Sequence, residues 1–321
     1  MDHDQGELVT SAPLAARLSI PSGPLFFPVT AYGPDGAVDP GTYRLHVRRG
    51  VEAGAAAVFA CCGTGEFHAL TPEEFETCVR AAVEAAEGRV PVVAGAGYGT
   101  ALAVRYARLA EDAGADGLLA MPPYLVKAGQ EGLLRHYREL AAATSLPVIV
   151  YQRDNAVFTP ATVVELARTD GIVGLKDGYG DLDLMQRTVS AVRAGGVEDF
   201  LYFNGLPTAE LTQPAYRGLG VTLYSSAVFC FVPEIALACH TALRTGDEAT
   251  VRRLVDGFYR PFVDLRDQGQ GYAVSLVKAG VRLRGLDVGE VRPPLHEPSG
   301  DHLKQLAHLI ERGQALIEEG M

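Results

Sequence analysis

GIVGLKDGYGD, residues 171–181, is the stretch from which the fold and the chemistry of this chain are predicted. Ile172, Val173 and Leu175 form a short apolar run bounded by glycines, which is typical of a buried strand. Lys176 follows where this strand leaves the core, and turn residues come directly after the lysine. The stretch therefore predicts a lysine at the end of a strand, beside a loop.

Lys176 is the leading candidate for a reactive group. Burial lowers the pKa of a lysine, and an amine that loses its proton more easily attacks carbonyl carbons, as in enzymes that form Schiff bases. Only four of the 28 basic residues are lysines, and the other three lie in stretches typical of loops or helices. A lysine at a strand end can also reach out to water or pair with Asp177, and this ordinary use stays open.

Short apolar runs alternate with longer amphipathic segments along most of the chain. Eight strand and helix pairs of roughly 25 to 30 residues each predict a (β/α)8 TIM barrel, of the α/β class. The strands are predicted at residues 25–29, 56–60, 90–94, 117–121, 148–151, 172–175, 200–203 and 220–223.

The ends of the helices and the limits of the barrel are also predicted. A helix is expected at 40–53. Thr71, Pro72 and Glu74 form the pattern of a capping box with proline at the first helical position, and Thr100 opens the next helix. The strand pattern stops after about residue 240. We therefore predict a barrel with a short lead-in over residues 1–240 and a helical extension over 241–321, with helices at 247–266, 273–284 and 301–319.

Composition narrows the classes of function. A formal net charge of −11 disfavours nucleic acid and anionic membranes as partners. The first ten residues have neither the basic start nor the apolar segment of a signal peptide, and no window is apolar enough to span a bilayer. The five cysteines show no metal-binding spacing and cannot all pair with one another. These features favour a cytoplasmic protein without a metal site.

Residues that follow barrel strands are the candidates for an active site, because catalytic groups of this fold collect at the carboxyl ends of the strands. The candidates are Gly63 to Glu66, Pro122 to Tyr124, Tyr151 to Asp154, Lys176 with Asp177, Asn204 with Gly205, and Tyr224 to Ser226.

Each of these positions has a use if the substrate is a 2-oxo acid, and each has an ordinary alternative. Gly63 and Thr64 can direct backbone N–H groups and a hydroxyl at a carboxylate, or can form only a tight loop. Tyr151 can shuttle protons near Lys176, or its ring can simply pack while its hydroxyl contacts water. Arg153 can hold a second carboxylate, or can pair with Asp154 on the surface.

Six stretches together resemble the dihydrodipicolinate synthase and N-acetylneuraminate lyase superfamily of class I aldolases and dehydratases. Within that superfamily they are most similar to a branch that dehydrates and decarboxylates a six-carbon keto sugar diacid. The resemblance spans most of the barrel and is much more specific than any one motif. The stretches are GTGEFHAL at 63–70, MPPYL at 121–125, YQRDNAVFTP at 151–160, GLKDGYGD at 174–181, NGLPTAE at 204–210 and YSSAVFCF at 224–231.

The resemblance implies a role for each of several residues. Lys176 would form the Schiff base, Tyr151 would be the acid/base residue, and Gly63 with Thr64 would bind the 2-oxo acid carboxylate. Tyr124 would take part in a proton relay, across a subunit contact. For the distal carboxylate we select Arg153 together with Ser225 and Ser226. Cys62, Gln152 and Cys230 stand where that branch usually has glycine, asparagine and asparagine.

The reaction inferred from this resemblance uses the imine as the only electron sink. It needs no metal and no organic cofactor, its partner is a small sugar diacid, and relatives suggest a homotetramer built from two dimers. Two alternatives stay open. One is another imine-forming lyase or aldolase that acts on pyruvate or on a different 2-keto-3-deoxy sugar acid, and the other is a barrel that binds a sugar acid without catalysis.

Overall fold

Eight parallel strands form a closed barrel in the computed structural model, which describes residues 14–18 and 22–318. Neighbouring strands pair in chain order, and the last strand pairs with the first, with Leu25 opposite Ser225. The predicted (β/α)8 barrel is confirmed. The strands are β1 (Leu25–Phe26), β2 (Ala57–Ala60), β3 (Val92–Ala96), β4 (Gly117–Ala120), β5 (Val148–Gln152), β6 (Ile172–Asp177), β7 (Leu201–Asn204) and β8 (Leu223–Ser226).

A helix follows each strand and packs on the outside of the barrel. A short helix, α1 (Leu14–Leu18), precedes β1, and the helices of the barrel come next in the chain. They are α2 (Pro40–Glu52), α3 (Pro72–Ala86), α4 (Thr100–Asp112), α5 (Gln130–Ala141), α6 (Pro160–Ala167), α7 (Leu182–Ala194), α8 (Gln213–Gly218) and α9 (Pro233–Thr245).

The region after the barrel is helical, as predicted. Helices α10 (Glu248–Leu254) and α11 (Arg260–Arg266) are joined by a π-helical segment, Val255–Tyr259, and α12 (Tyr272–Leu283) and α13 (Gly300–Glu318) follow. Helix α9 runs without a break through residue 240. The lead-in at 1–13 and the predicted helix end at 319 lie outside the described residues. No helix among those described has the length and apolar content to cross a bilayer.

Every strand differs from its predicted range by at least one residue at one end, and β3 lies two residues later at both ends. Three other differences are the largest or affect the site. Strand β1 is two residues long, β6 continues through Asp177, and β8 begins at Leu223, three residues later than expected. The prediction for β8 was wrong because Gly220 has φ +85°, a left-handed turn conformation, and Val221 packs into a separate apolar cluster with Met185 and Tyr216. Lys176 and Ser225 therefore lie within strands and not on the loops after them.

Two apolar layers hold the barrel together. Side chains that point outward pack against the helices, while inward-pointing side chains fill the barrel lumen. Phe27 and Phe59 stack in the lumen with their ring centres 4.5 Å apart. This packing closes the barrel below the carboxyl ends of the strands and leaves a cavity above.

Candidate functional site

A cavity of about 290 Å³ lies at the carboxyl ends of the strands, where the barrel rule places chemistry. Lys176 and Tyr151 lie in its wall, together with residues from the loops after β2 and β7 and from α12. The predicted residues that line it are Gly63, Thr64, Tyr151, Arg153, Lys176, Gly205 and Ser225. The structure therefore brings together seven predicted positions from five separate segments of the chain.

Lys176 is buried among aromatic rings. Its Nζ lies 3.9 Å from the centre of the Tyr151 ring and 5.1 Å from the centre of the Phe27 ring. The residue is 5% exposed and has no ion-pair partner in the described part of the chain. An amine held against rings at the edge of a cavity is well placed to meet a carbonyl carbon.

Asp177 does not pair with Lys176, which removes one of the two ordinary interpretations of this lysine. Adjacent strand residues point to opposite faces, and the Asp177 carboxylate is buried on the outer face. It accepts hydrogen bonds from Gln152 Nε2 at 3.0 Å and Tyr216 Oη at 2.5 Å. The Tyr179 N–H donates to it at 2.9 Å. Asp177 thus fixes the ends of β5 and β6, while the lysine stays free of it.

Tyr151 lies on β5 directly opposite Lys176 on β6 in the strand register. Its hydroxyl donates to the Gly205 carbonyl at 3.0 Å, and only 7% of the residue is exposed. The ring packs beside the lysine, and the hydroxyl is fixed by the loop after β7. The two residues predicted to act together are therefore in contact.

Gly205 is a position where the site has no room for a side chain. A Cβ atom there would lie 2.7 Å from Lys176 Cγ and 2.9 Å from Lys176 Nζ. Its N–H donates to the Asp177 carbonyl at 2.6 Å, which holds the loop against β6. Glycine is therefore required by the close approach of this loop to the lysine.

The loop after β2 forms another wall of the cavity. Gly63 and Thr64 line it, and Thr30 Oγ1 donates to the Gly65 carbonyl at 2.6 Å. Cys62 lies under this loop, where burial raises the pKa of its thiol to about 12 although the nearby Lys176 charge opposes the change. The thiol is therefore neutral near pH 7 and adds no charge to this wall of the cavity.

The remaining predicted residues separate into two groups. Arg153 and Ser225 line the cavity. Arg153 Nε also donates a hydrogen bond to the Asp154 carboxylate at 3.1 Å. Ser226 does not line it, because its hydroxyl points to the helical layer and donates to buried Glu210 at 2.5 Å. Tyr124 lies away from the cavity with 68% of its surface exposed, and its ring contacts Tyr98 at 6.2 Å between centres.

Sequence reasoning missed the part of the site that comes from the C-terminal helices. Arg266, at the end of α11, donates to the Pro207 carbonyl at 2.8 Å and to Thr208 Oγ1 at 3.1 Å. Other cavity residues from this region are Val274, Val277 and Leu295. No local pattern marks them as functional, since they come together only when the extension folds over the barrel. Phe27 was also missed, although it directly follows Phe26, the last residue of β1, and the alternation of extended chain indicates that it points into the lumen.

Among the described residues, no three His, Cys, Asp or Glu side chains lie close enough together to hold a metal ion. All five cysteines are buried and free of disulfide bonds.

A buried lysine and tyrosine at the mouth of a (β/α)8 barrel, facing a cavity of metabolite size, define the class of carbonyl-binding barrels that form a Schiff base. The model of the dihydrodipicolinate synthetase family matches residues 21–313. The chain therefore belongs to the dihydrodipicolinate synthetase family.

Relatives of high identity belong to one kind of enzyme by name. A protein of Streptomyces avermitilis called probable 5-dehydro-4-deoxyglucarate dehydratase 1 is 83% identical over 98% of this chain and all of its own length. A protein of the same name from Streptomyces coelicolor is 81% identical over 97% of this chain and 99% of its own. The crystal structure of dihydrodipicolinate synthase from Bacillus clausii has a TM-score of 0.83 at 30% identity, over 93% of this chain and 99% of that one.

Proposed function

We propose that the chain is a Schiff-base lyase that converts 5-dehydro-4-deoxyglucarate to 2,5-dioxopentanoate with loss of water and CO2. The observation that carries this proposal is Lys176, buried between the rings of Tyr151 and Phe27 and open to a cavity of about 290 Å³. The names and the high identity of the relatives support the choice of substrate.

Lys176 is the nucleophile in this proposal. Its amine adds to the C5 ketone of the substrate, and loss of water from the carbinolamine gives a protonated imine. Tyr151 is the acid/base residue that carries protons to and from the carbinolamine and the adjacent carbon. Its position opposite Lys176 and its hydrogen bond to the Gly205 carbonyl support this role.

Binding of the two substrate carboxylates is divided between opposite parts of the cavity. Gly63 and Thr64 bind the carboxylate beside the ketone with backbone N–H groups and a hydroxyl. Arg153 and Ser225 hold the distal carboxylate, since both line the cavity. Ser226 stays outside this contact because Glu210 engages its hydroxyl.

The imine serves both chemical steps as one electron sink. It acidifies the C4 methylene, so that a proton leaves C4 and the C3 hydroxyl departs as water. The resulting conjugated iminium accepts the electron pair of the C1–C2 bond when C1 departs as CO2. Protonation, tautomerisation of the C2 enol to an aldehyde and hydrolysis of the imine release the five-carbon product, so the atoms balance without an oxidant.

Assembly and location are part of the proposal. We propose a homotetramer built from two dimers, in which Tyr124 completes a proton relay across a subunit contact. The exposed apolar run of Tyr124, Leu125 and Val126 supports such a contact. The five unpaired cysteines support a reducing cytoplasm.

Borohydride trapping tests the function. The protein is incubated with 5-dehydro-4-deoxyglucarate, reduced, digested and mapped by mass spectrometry, with pyruvate in a parallel tube and Lys176→Met as the control. An adduct on the Lys176 peptide together with CO2 release is expected. An adduct with pyruvate alone would move the assignment to another imine-forming lyase, and no adduct with either compound would contradict the Schiff-base mechanism.

A further inference from the structure

A buried ion pair connects the loop after β2 to the C-terminal extension. Lys278 Nζ on α12 lies 2.9 Å from Glu66 Oε1, and both side chains are 0% exposed. The second carboxylate oxygen, Glu66 Oε2, accepts a hydrogen bond from the Arg292 backbone N–H at 2.8 Å. Two separate parts of the extension therefore hold one carboxylate of a barrel loop.

Lys278 and Arg292 both lie against the ring of Tyr32. Lys278 Nζ lies 3.9 Å from the centre of the Tyr32 ring, and the Arg292 guanidinium carbon lies 4.3 Å from the same centre. Burial lowers the pKa of Lys278 to about 8, against the attraction of Glu66. Burial of a charged pair gains little or no stability over apolar residues of the same shape, so stability alone does not explain this pair.

Glu66 has a backbone conformation that needs such support. Its φ is +55°, in the left-handed region that non-glycine residues seldom adopt. Its N–H donates to the Gly63 carbonyl at 3.2 Å, and the next N–H, of Phe67, donates to the Cys62 carbonyl at 3.2 Å. The conformation of Glu66 thus sets the direction of the Gly63 and Thr64 backbone at the cavity wall.

We propose that Lys278 is a positioning residue that, by anchoring Glu66, holds Gly63 and Thr64 in the geometry that binds the 2-oxo acid carboxylate. This inference rests on the proposed function, because it concerns the same carboxylate. Helix α12 also places Val274 and Val277 in the cavity wall, so one helix carries both the anchor and part of the lining.

A comparison of single and double variants tests the proposal. Lys278→Met leaves the Glu66 carboxylate buried without its cation, whereas Glu66→Gln with Lys278→Met removes both charges and keeps an oxygen for the Arg292 N–H. We expect urea unfolding to show a large loss of stability in the single variant and substantial recovery in the double variant. The exposed Lys304→Met on α13 is the control for loss of a lysine charge.

The decisive measurement is the pyruvate concentration that gives half-maximal trapping on Lys176, because pyruvate carries only the carboxylate in question. In the double variant we expect this concentration to rise about 10-fold, as for loss of a well-placed hydrogen bond to a charged group. The KM for the sugar diacid rises in parallel, with a smaller change in kcat. Lys304→Met should match the wild type.

The outcomes separate the two proposals. A folded double variant with wild-type half-saturation would overturn the positioning role while leaving the Schiff-base function intact. Absence of trapping on Lys176 in the wild type would overturn the function and this inference together. If Lys278→Met fails to fold, the double variant alone decides.

Discussion

Lys176 and Asp177 show how one strand serves two purposes. They are neighbours on β6, and the alternation of a strand sends the amine into the cavity and the carboxylate into the outer layer. There Asp177 binds Gln152 and Tyr216, which ties the ends of β5 and β6 to α8. The position of the Lys176 amine therefore depends on a carboxylate that never touches it.

Gly205 provides a test of how tightly the site is packed around this amine. Gly205→Ala should lower the rate of imine trapping about 100-fold, since a Cβ atom would displace the Lys176 side chain. Gly218→Ala is the matched control, because a Cβ atom at Gly218 meets nothing within 4 Å. Single-turnover trapping of both variants measures the effect, and equal rates would show that the lysine moves aside without loss.

Glu210 makes stability depend on pH. Burial raises the pKa of its carboxyl from an ordinary 4.5 to about 7, although the hydrogen bond from Ser226 opposes the change, and its Oε2 has no hydrogen-bond partner. Between these pH values the folded protein retains a proton that the unfolded chain releases. The Glu210 contribution to stability is therefore complete below pH 4.5 and is lost as pH rises to 7.

Glu210→Gln should remove this dependence. The free energy of unfolding of the wild type, relative to the variant, should fall by about 3 kcal/mol between pH 4.5 and 7. Urea unfolding of both proteins across this range measures the difference. A difference that stays constant with pH would contradict the assignment.

At the scale of elements, helix α3 begins as the sequence predicts. Thr71 Oγ1 accepts from the Glu74 N–H at 3.2 Å, and the Thr71 N–H donates to Glu74 Oε2 at 3.0 Å, which completes the capping box. The Arg292 guanidinium donates hydrogen bonds to both carboxylate oxygens of Glu74, at 2.6 and 2.7 Å. The capping residue Glu74 thus also holds the C-terminal segment that carries Arg292. The capping pattern alone does not reveal this second contact.

Thr71→Ala should lower the free energy of unfolding by about 1 kcal/mol through loss of this cap. Thr77→Ala, an exposed position in the interior of the same helix, should change it by less than about 0.5 kcal/mol, as most surface substitutions do. Urea denaturation compares the two variants. Equal effects would mean that the cap contributes nothing beyond an ordinary surface hydroxyl.

At the scale of the whole molecule, the barrel has an apolar surface run that its own chain does not cover. Tyr124, Leu125 and Val126 are 68%, 81% and 58% exposed, and exposed runs of this kind mark contacts between proteins. Leu125→Asp should therefore reduce the proposed tetramer to smaller species, as measured by light scattering after size exclusion. Leu45→Asp, at an isolated exposed leucine on α2, should leave the assembly unchanged. A tetramer that survives Leu125→Asp would place the subunit contact elsewhere.

The sequence by itself determined the barrel, the helix starts and the grouping of Lys176, Tyr151, Gly63 and Thr64 at one end. These features follow from hydrophobic periodicity and from the rule that the parallel strands of a barrel all end on the same side. A residue at the end of any predicted strand is therefore expected at that side of the barrel. The start of β8 escaped prediction because an apolar residue, Val221, packs outside the strand.

Only the tertiary structure decided which face each side chain uses and what the C-terminal helices do. Ser225 and Ser226 are adjacent and alike, yet one lines the cavity and the other binds Glu210. The contact of Lys278 with Glu66 spans 212 residues, and no local pattern encodes it. Such pairings depend on the register of strands and on how a distant helix packs, and these are properties of the folded chain as a whole.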